Sequence, residues 1–198
     1  MILEDDWRDI DYLATGTDVQ RRAHQTLTQL GILTELAPYD AILVSTVCND
    51  IDIPGSDLDI ICYTVEPLRF IRHVSQRYGS MRGFTVTHHP EPRSEVVIQF
   101  FTDDFEIEIF AQNIPVSEQN ALRHMLQTNR VLKIGGSLWR GAIRSLKLRG
   151  VKTEPAVAQL LDLPGDPYQA VLALETLSEE ALTTRIRERK AQLPSDSE

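Results

Sequence analysis

Cysteine is almost absent from this chain. It has two, Cys48 and Cys62, with no metal-motif spacing. That excludes a zinc finger or ribbon and leaves two reduced thiols of a cytoplasmic protein as the expectation. No Walker-type glycine loop and no Ser/His/Asp set is present. No apolar run approaches the ~18–20 residues of a membrane span, so no membrane partner is expected. The N-terminus, Met1-Ile2-Leu3-Glu4-Asp5-Asp6, lacks a basic stretch followed by an apolar one, and no signal peptide is expected. There is no internal repeat and no low-complexity segment. Positive charge is also in deficit: 20 Lys and Arg stand against 29 Asp and Glu, a net charge of -9. This argues against general nucleic-acid binding.

What is present is unevenly placed. Between Val116 and Lys152 lie eight basic residues and one acid, a net +7, and the remainder of the 198 residues carries -16. An acidic half that holds metal beside a basic helical half suits a metal-bound polyphosphate. The bland alternative is a set of solvated helix faces.

The most informative stretch is Leu43-Val44-Ser45-Thr46, ten residues, then Asp57-Leu58-Asp59-Ile60-Ile61-Cys62. An apolar strand over Ala41–Val44 runs into a polar loop that closes with Pro54-Gly55-Ser56, and a second apolar strand follows at once. A strand has a side-chain period of two, so Asp57 and Asp59 share one face and Leu58, Ile60 and Cys62 the other. Two carboxylates so close repel unless a cation lies between them. Phe105-Glu106-Ile107-Glu108-Ile109-Phe110 has the same alternation, so Glu106 and Glu108 share a face. The simpler explanation of that alternation is the wet face of an antiparallel strand. Alongside Asp57 and Asp59 it supplies a third carboxylate, with Glu108 favoured and Glu106 in reserve.

These residues resemble the signature of the polymerase-beta-type nucleotidyltransferase superfamily: an apolar strand, Gly-Ser or Gly-Gly, about ten residues, then Asp-x-Asp on the next strand. Gly55-Ser56-Asp57-Leu58-Asp59-Ile60-Ile61 matches its small members. Ser45 stands where that superfamily has Gly, and Thr46 where it usually has Ser. A broader resemblance rests on Ile51 to Cys62, Ile107 to Gln112, Arg123-His124-Met125, Lys152 to Ala156 and Gly165 to Tyr168. It is to a bacterial family known only as a domain of unknown function, grouped with the nucleotidyltransferases by fold. The resemblance implies Mg2+ or Mn2+ held by Asp57, Asp59 and Glu108, with Glu106 nearby. It also implies a nucleotide site at Ser45, Thr46 and Ser56. The expected activity is transfer of a nucleoside monophosphate from an NTP to a small-molecule or protein acceptor. The alternative is a catalytically weak nucleotide-binding or protein-interaction module, such as a toxin–antitoxin-like component. It is motivated by Ser45, whose side chain stands where the superfamily's backbone approaches phosphate.

The fold expected is α+β, a mixed sheet of about five strands with flanking helices and a helical C-terminal half. One domain over residues 1–190 would comprise N-terminal helices (1–36), an α/β core (37–115) and a helical part (116–190). A disordered tail would follow at 191–198. Thr17-Asp18-Val19-Gln20 reads as a capping box, with Val19, Ala23, Leu27 and Leu30 along the helix that follows. A helix over Pro67–Tyr78 carries the stripe Leu68, Ile71, Val74 and Tyr78. Strands are expected at Leu58–Tyr63, Phe84–His88, Glu95–Phe101 and Phe105–Phe110, with Asp103-Asp104 turning the last two into a hairpin. Ser117 and Ser137 are expected to cap two helices, ending near Leu132 and Leu148. In the second, Arg140, Arg144 and Lys147 fall on one face, with Lys152 just beyond. They are the candidates for the β- and γ-phosphates, and Gly135-Gly136 is a weak candidate anion turn.

Overall fold

A computed structural model describes residues 7–90, 92 and 94–190. The expected tail at 191–198 lies outside the described residues. The chain divides into two compact units, one over residues 7–50 and 54–122, the other over 51–53 and 123–190. No described helix is long and apolar enough to cross a membrane.

The first unit opens with a 3-10 turn, Asp11–Thr15, and α1, Asp18–Leu30. Thr17 and Gln20 form the expected reciprocal capping box, and Gly31 ends the helix in the left-handed region at φ 62°. A short α2 (Ile32–Glu35) precedes β1, Ile42–Leu43, which is shorter than the expected Ala41–Val44. Then come β2 (Leu58–Tyr63), α3 (Pro67–Tyr78), β3 (Arg82–His89), β4 (Glu95–Phe101) and β5 (Glu106–Gln112). The sheet order is β1-β2-β5-β4-β3. Only β2 and β5 run parallel; the other pairs are antiparallel. This is the mixed five-stranded α+β arrangement that the sequence implied.

Alternation along the strands separates two faces. Leu58, Ile60 and Cys62 of β2, Ile107, Ile109 and Ala111 of β5, and Val96, Ile98 and Phe100 of β4 are buried. On the same side the Tyr78 ring stacks on Phe100 at 5.4 Å. The stripe that α3 buries is Phe70, Val74 and Tyr78, whereas Leu68 is 66% exposed. A 3.6-residue repeat admits either stripe, and the bulk of Phe70 decides between them. Opposite Phe101, Gly83 at φ 68° sits within the irregular register between Arg82 and Thr85. A Cβ there would lie 2.6 Å from the Phe101 ring.

The second unit is helical: α4 (Asn120–Leu148), α5 (Thr153–Leu161), α6 (Pro167–Leu172) and α7 (Glu179–Lys190). The first turn of α4, up to Leu122, counts with the first unit. Ser117 does not cap a helix, because it lies in a 3-10 turn, Val116–Glu118, and α4 begins at Asn120. The expected break before Ser137 is present as a kink, with Gly136 at φ 68° and ψ -154°. Gly135 is needed for a separate reason: a Cβ on it would meet the Trp139 ring at 2.3 Å. Trp139 is fully buried among Val131, Leu132, Ile143, Leu146, Val157, Leu161 and Leu182. The Gly-Gly pair is accounted for by chain direction and packing.

One residue of this core comes from far away in sequence. Ile51, in the loop between Ser45 and Asp57, is fully buried in the helical cluster, and Lys147 Nζ donates to its carbonyl at 2.9 Å. Truncating a buried Ile leaves a cavity that typically costs about 2–5 kcal/mol. Ile51→Ala is therefore expected to lower unfolding stability by that amount in urea titration, although the residue sits in a polar loop.

Candidate active site

The loop after β1 is built by side chains that bond its backbone. Ser45 is fully buried. Its hydroxyl donates to the Asp57 carbonyl at 2.6 Å and accepts from Val47 N at 3.2 Å. One residue thus caps the 3-10 turn Thr46–Asn49 and ties the start of the loop to its end. Gln20 of α1 donates to the Val47 carbonyl at 2.9 Å, fixing the turn from outside. Thr46 Oγ1 lies 3.5 Å from Ser56 Oγ. The Ser45 side chain therefore points along the backbone of the motif.

The carboxylates are placed by register. Asp59 of β2 is the direct partner of Glu108 on parallel β5, and Glu108 is the direct partner of Gln99 on antiparallel β4. Adjacent strands lie about 4.8 Å apart, so the Asp59 and Glu108 side chains stem from neighbouring points on one half-exposed face. Glu106 pairs with Phe101 instead, one step before β2 begins. Asp57 precedes the first paired residue of β2, half-buried, with its carbonyl held by Ser45.

Like charges directly opposite on neighbouring strands destabilise a sheet by roughly 0.2–1 kcal/mol. The oxygen-only donor chemistry of Asp57, Asp59 and Glu108 fits a hard divalent cation. Among the described residues, however, no three His, Cys, Asp or Glu side chains are gathered as a ready-made cage.

The basic candidates all belong to the second unit. Arg140, Arg144 and Lys147 are half-buried on α4, Lys152 is exposed before α5, and Lys147 holds the Ile51 carbonyl. His124, half-buried, bonds the Tyr168 carbonyl at 3.0 Å and lies 3.7 Å from Glu154, a structural role. His88 and His89 close β3, one residue beyond the expected strand end at His88.

Two groups escaped the sequence reading. Gln99 donates from Nε2 to Glu108 Oε2 at 2.9 Å. The two-residue turn Asp103-Asp104 fixes the pairing Phe101–Glu106 and hence Gln99–Glu108, so counting back from the turn could have found it. Cys48 is buried, and burial pushes its thiol up to about 12; a hydrogen bond from Tyr12 pulls it down, and the negative charge of Asp59 raises it further. No sequence signal marked that neighbourhood.

The family profile described as "Domain of unknown function (DUF4269)" matches residues 25–174. The chain belongs to this family. Comparison with curated proteins gives no match. Among solved structures, Cid1, described for its RNA terminal uridylyl transferase activity, is similar with a TM-score of 0.51 and 16% identity. The match covers 78% of this chain and 48% of that one. It shows that this DUF4269 chain has a nucleotidyltransferase-like fold. A cytoplasmic RNA terminal U-transferase (TM-score 0.47, 17% identity, 84% of this chain and 46% of that one) is less similar. So is the polymerase core of TRAMP, an RNA surveillance complex (0.44, 13%, 90% and 60%). The DUF4269 chain spans about half the length of these solved chains.

Two outcomes follow from the geometry. Ser45→Ala leaves the buried Val47 N–H without its acceptor and the half-buried Asp57 carbonyl without its donor, a loss worth about 1–3 kcal/mol; Ser45→Gly should cost no less, as read by chemical denaturation. In an unfolded chain a thiol ionises near pH ~8.5, whereas folded Cys48 stays protonated up to about 12. The unfolded state then binds fewer protons, so stability is full below about pH 8.5 and falls as pH rises towards 12, by up to ~1.4 kcal/mol per unit for this group. Urea titrations across that range should show the decline, and Cys48→Ala should make it shallower by this group's share, the buried Cys62 thiol, also pushed up by burial, retaining its own.

Proposed function

We propose that this protein is a divalent-metal-dependent nucleotidyltransferase. It would move a nucleoside monophosphate from an NTP to a small-molecule or protein acceptor. The observation that supports the reading best is the direct pairing of Asp59 with Glu108 on the half-exposed face, just after the loop that Ser45 braces. In this reading Asp57, Asp59 and Glu108 hold Mg2+ or Mn2+, and Glu106 adds negative charge two residues from Glu108. The cation supplies charge stabilisation at the α-phosphate and on the leaving oxygen.

In the transfer, an acceptor oxygen forms a bond to the α-phosphorus as the bond to the bridging oxygen breaks, releasing pyrophosphate; the acceptor's proton passes to solvent or to a carboxylate. Thr46 and Ser56 offer hydroxyls to the triphosphate. The 3-10 turn Thr46–Asn49, capped by Ser45, fixes the backbone beside them. Arg140, Arg144, Lys147 and Lys152 are carried forward as phosphate candidates on sequence grounds.

Asp57→Asn with Asp59→Asn is expected to abolish Mg2+-dependent NTP binding in calorimetry. The metal-free double variant should keep the wild-type circular dichroism spectrum, so that lost binding reports on the site. Binding of NTP·Mg with pyrophosphate release supports transfer. Binding without release favours a binding module, and unchanged affinity in the double variant removes the metal reading. For the basic residues, replacement by Ala should weaken NTP more than NMP, by about tenfold or more per charge-assisted contact of ~1.5–3 kcal/mol.

A further inference from the structure

The sheet has two edges, and they are finished differently. β1 forms one edge with two residues. β3 forms the other with eight, and all of them but Phe84 and His88 are exposed. An edge strand turns every second N–H and C=O away from its sheet. Natural edges are blunted by brevity, by Lys or Pro, or by a bulge. Brevity blunts β1. Within β3 there is no Lys and no Pro, and its irregularity lies at one end, between Arg82 and Thr85. From Thr85 to His89 the pairing with β4 is regular, and among the described residues no strand lies beyond it.

The side chains along this edge have a pattern. Val86 and His88 are the direct partners of buried Ile98 and Val96. They therefore point to the α3 side of the sheet, away from Asp59 and Glu108. Val86 is 38% exposed there. At the His88 end, the start of α3 and the β3–β4 turn enclose a cleft of about 610 Å3, lined by Leu68, Arg69, Arg72, His88, Pro90 and Ser94. Leu68 is the most exposed large apolar side chain of α3. Arg69 is paired with Glu66 at 3.0 Å, so those two charges offset each other. Exposed Arg72 then gives the described wall a net positive charge. His88 Nε2 is buried without a hydrogen-bond partner among the described residues, a polar group that the chain leaves unmet.

Side chains of a strand alternate, so a peptide laid along β3 turns every second one to the α3 side. The one beside Val86 meets apolar surface. The next on that side, beside His88, enters the cleft that Arg72 lines. We propose that β3 and the cleft beside α3 form a docking groove for an extended peptide of a partner protein, carrying an apolar residue and, two positions along, an acidic one. Pairing with the edge supplies affinity, and the two side chains supply selectivity. A second copy of this chain is disfavoured by charge, because antiparallel pairing of β3 with itself would bring Arg82 of one strand to the His89 end of the other. The groove lies on the opposite face from the carboxylates and is independent of the metal reading.

The test uses the full chain and a fluorescein-labelled, acetylated heptapeptide, Thr-Thr-Leu-Thr-Glu-Thr-Thr, read by fluorescence anisotropy. Saturable binding is expected, with slowed amide exchange in residues 84–89. Changing the peptide's Glu to Lys should weaken binding about tenfold or more, as loss of a charge-assisted contact does. Arg72→Glu should reverse that preference, so that the Lys peptide binds better; a merely sticky surface would not invert. Val86→Lys, at an exposed edge position, should weaken both peptides. N-methylation of the Leu and Glu nitrogens blocks one side of the peptide strand, and N-methylation of the Thr nitrogens before each of them blocks the other. One set alone should abolish binding.

Failure of the wild-type chain to bind the peptide overturns the proposal. So does equal binding of both methylated peptides, or an Arg72→Glu chain that still prefers Glu to Lys. Displacement of the peptide by a single-stranded oligonucleotide would assign the groove to nucleic acid instead. A dimer in sedimentation that Val86→Lys dissolves would assign β3 to a second copy. Either result also overturns it.

Discussion

The parallel pairing of β2 with β5 is the constraint on which the first unit depends. A parallel pair needs a crossover, and here the crossover is the whole of α3, β3 and β4, which closes through a hairpin onto β5. That excursion covers the sheet with the Phe70, Val74 and Tyr78 stripe. It also brings Glu108 back beside Asp59 across nearly fifty residues of sequence. The same register leaves Glu106 one step before the first paired residue of β2, while the alignment of Gln99 with Glu108 is set by the β4–β5 hairpin.

The interior of the sheet works against the face that carries the candidate site. Nine apolar side chains from three strands fill one side, which supplies the burial that keeps the strands in register. The opposite side sets two carboxylates next to each other at a modest cost of at most about 1 kcal/mol. A domain of this size can tolerate that cost because burial of a single large apolar side chain exceeds it, at about 1.5–3 kcal/mol. The loop before β2 is secured differently, by the Ser45 hydroxyl and the Gln20 amide bonding backbone groups that a short loop could not pair by itself.

Much of this was legible beforehand because it depends on period and punctuation. The bounds of β2, α3 and β4 follow from alternation, from Pro67 at a helix start and from Gly79. The pairing of Glu108 with Gln99 follows from the Asp103-Asp104 turn. What was not legible depended on tertiary choice. Leu68 and Phe70 both fit a helical stripe, and only the volume under the helix selects Phe70. Ser117 looks like a cap, yet the Pro115–Gln119 region turns as a 3-10 segment first. The two backbone bonds of the Ser45 hydroxyl were not legible either, because a residue's type is visible in sequence and its direction is not. Whether Asp57, Asp59 and Glu108 form a cation site depends on side-chain convergence, which alternation does not encode.

Ile51 limits where the chain can be divided. The polypeptide passes between its two units three times, at residues 50/51, 53/54 and 122/123, and the shortest visit delivers the buried Ile51 to the helical core. A cut at 122/123 would therefore not release two self-sufficient parts. The C-terminal piece would lack the plug of its own interior, and the N-terminal piece would expose that plug to solvent. A division of the chain that keeps the helical core whole would have to carry residues 51–53 along with residues 123–190.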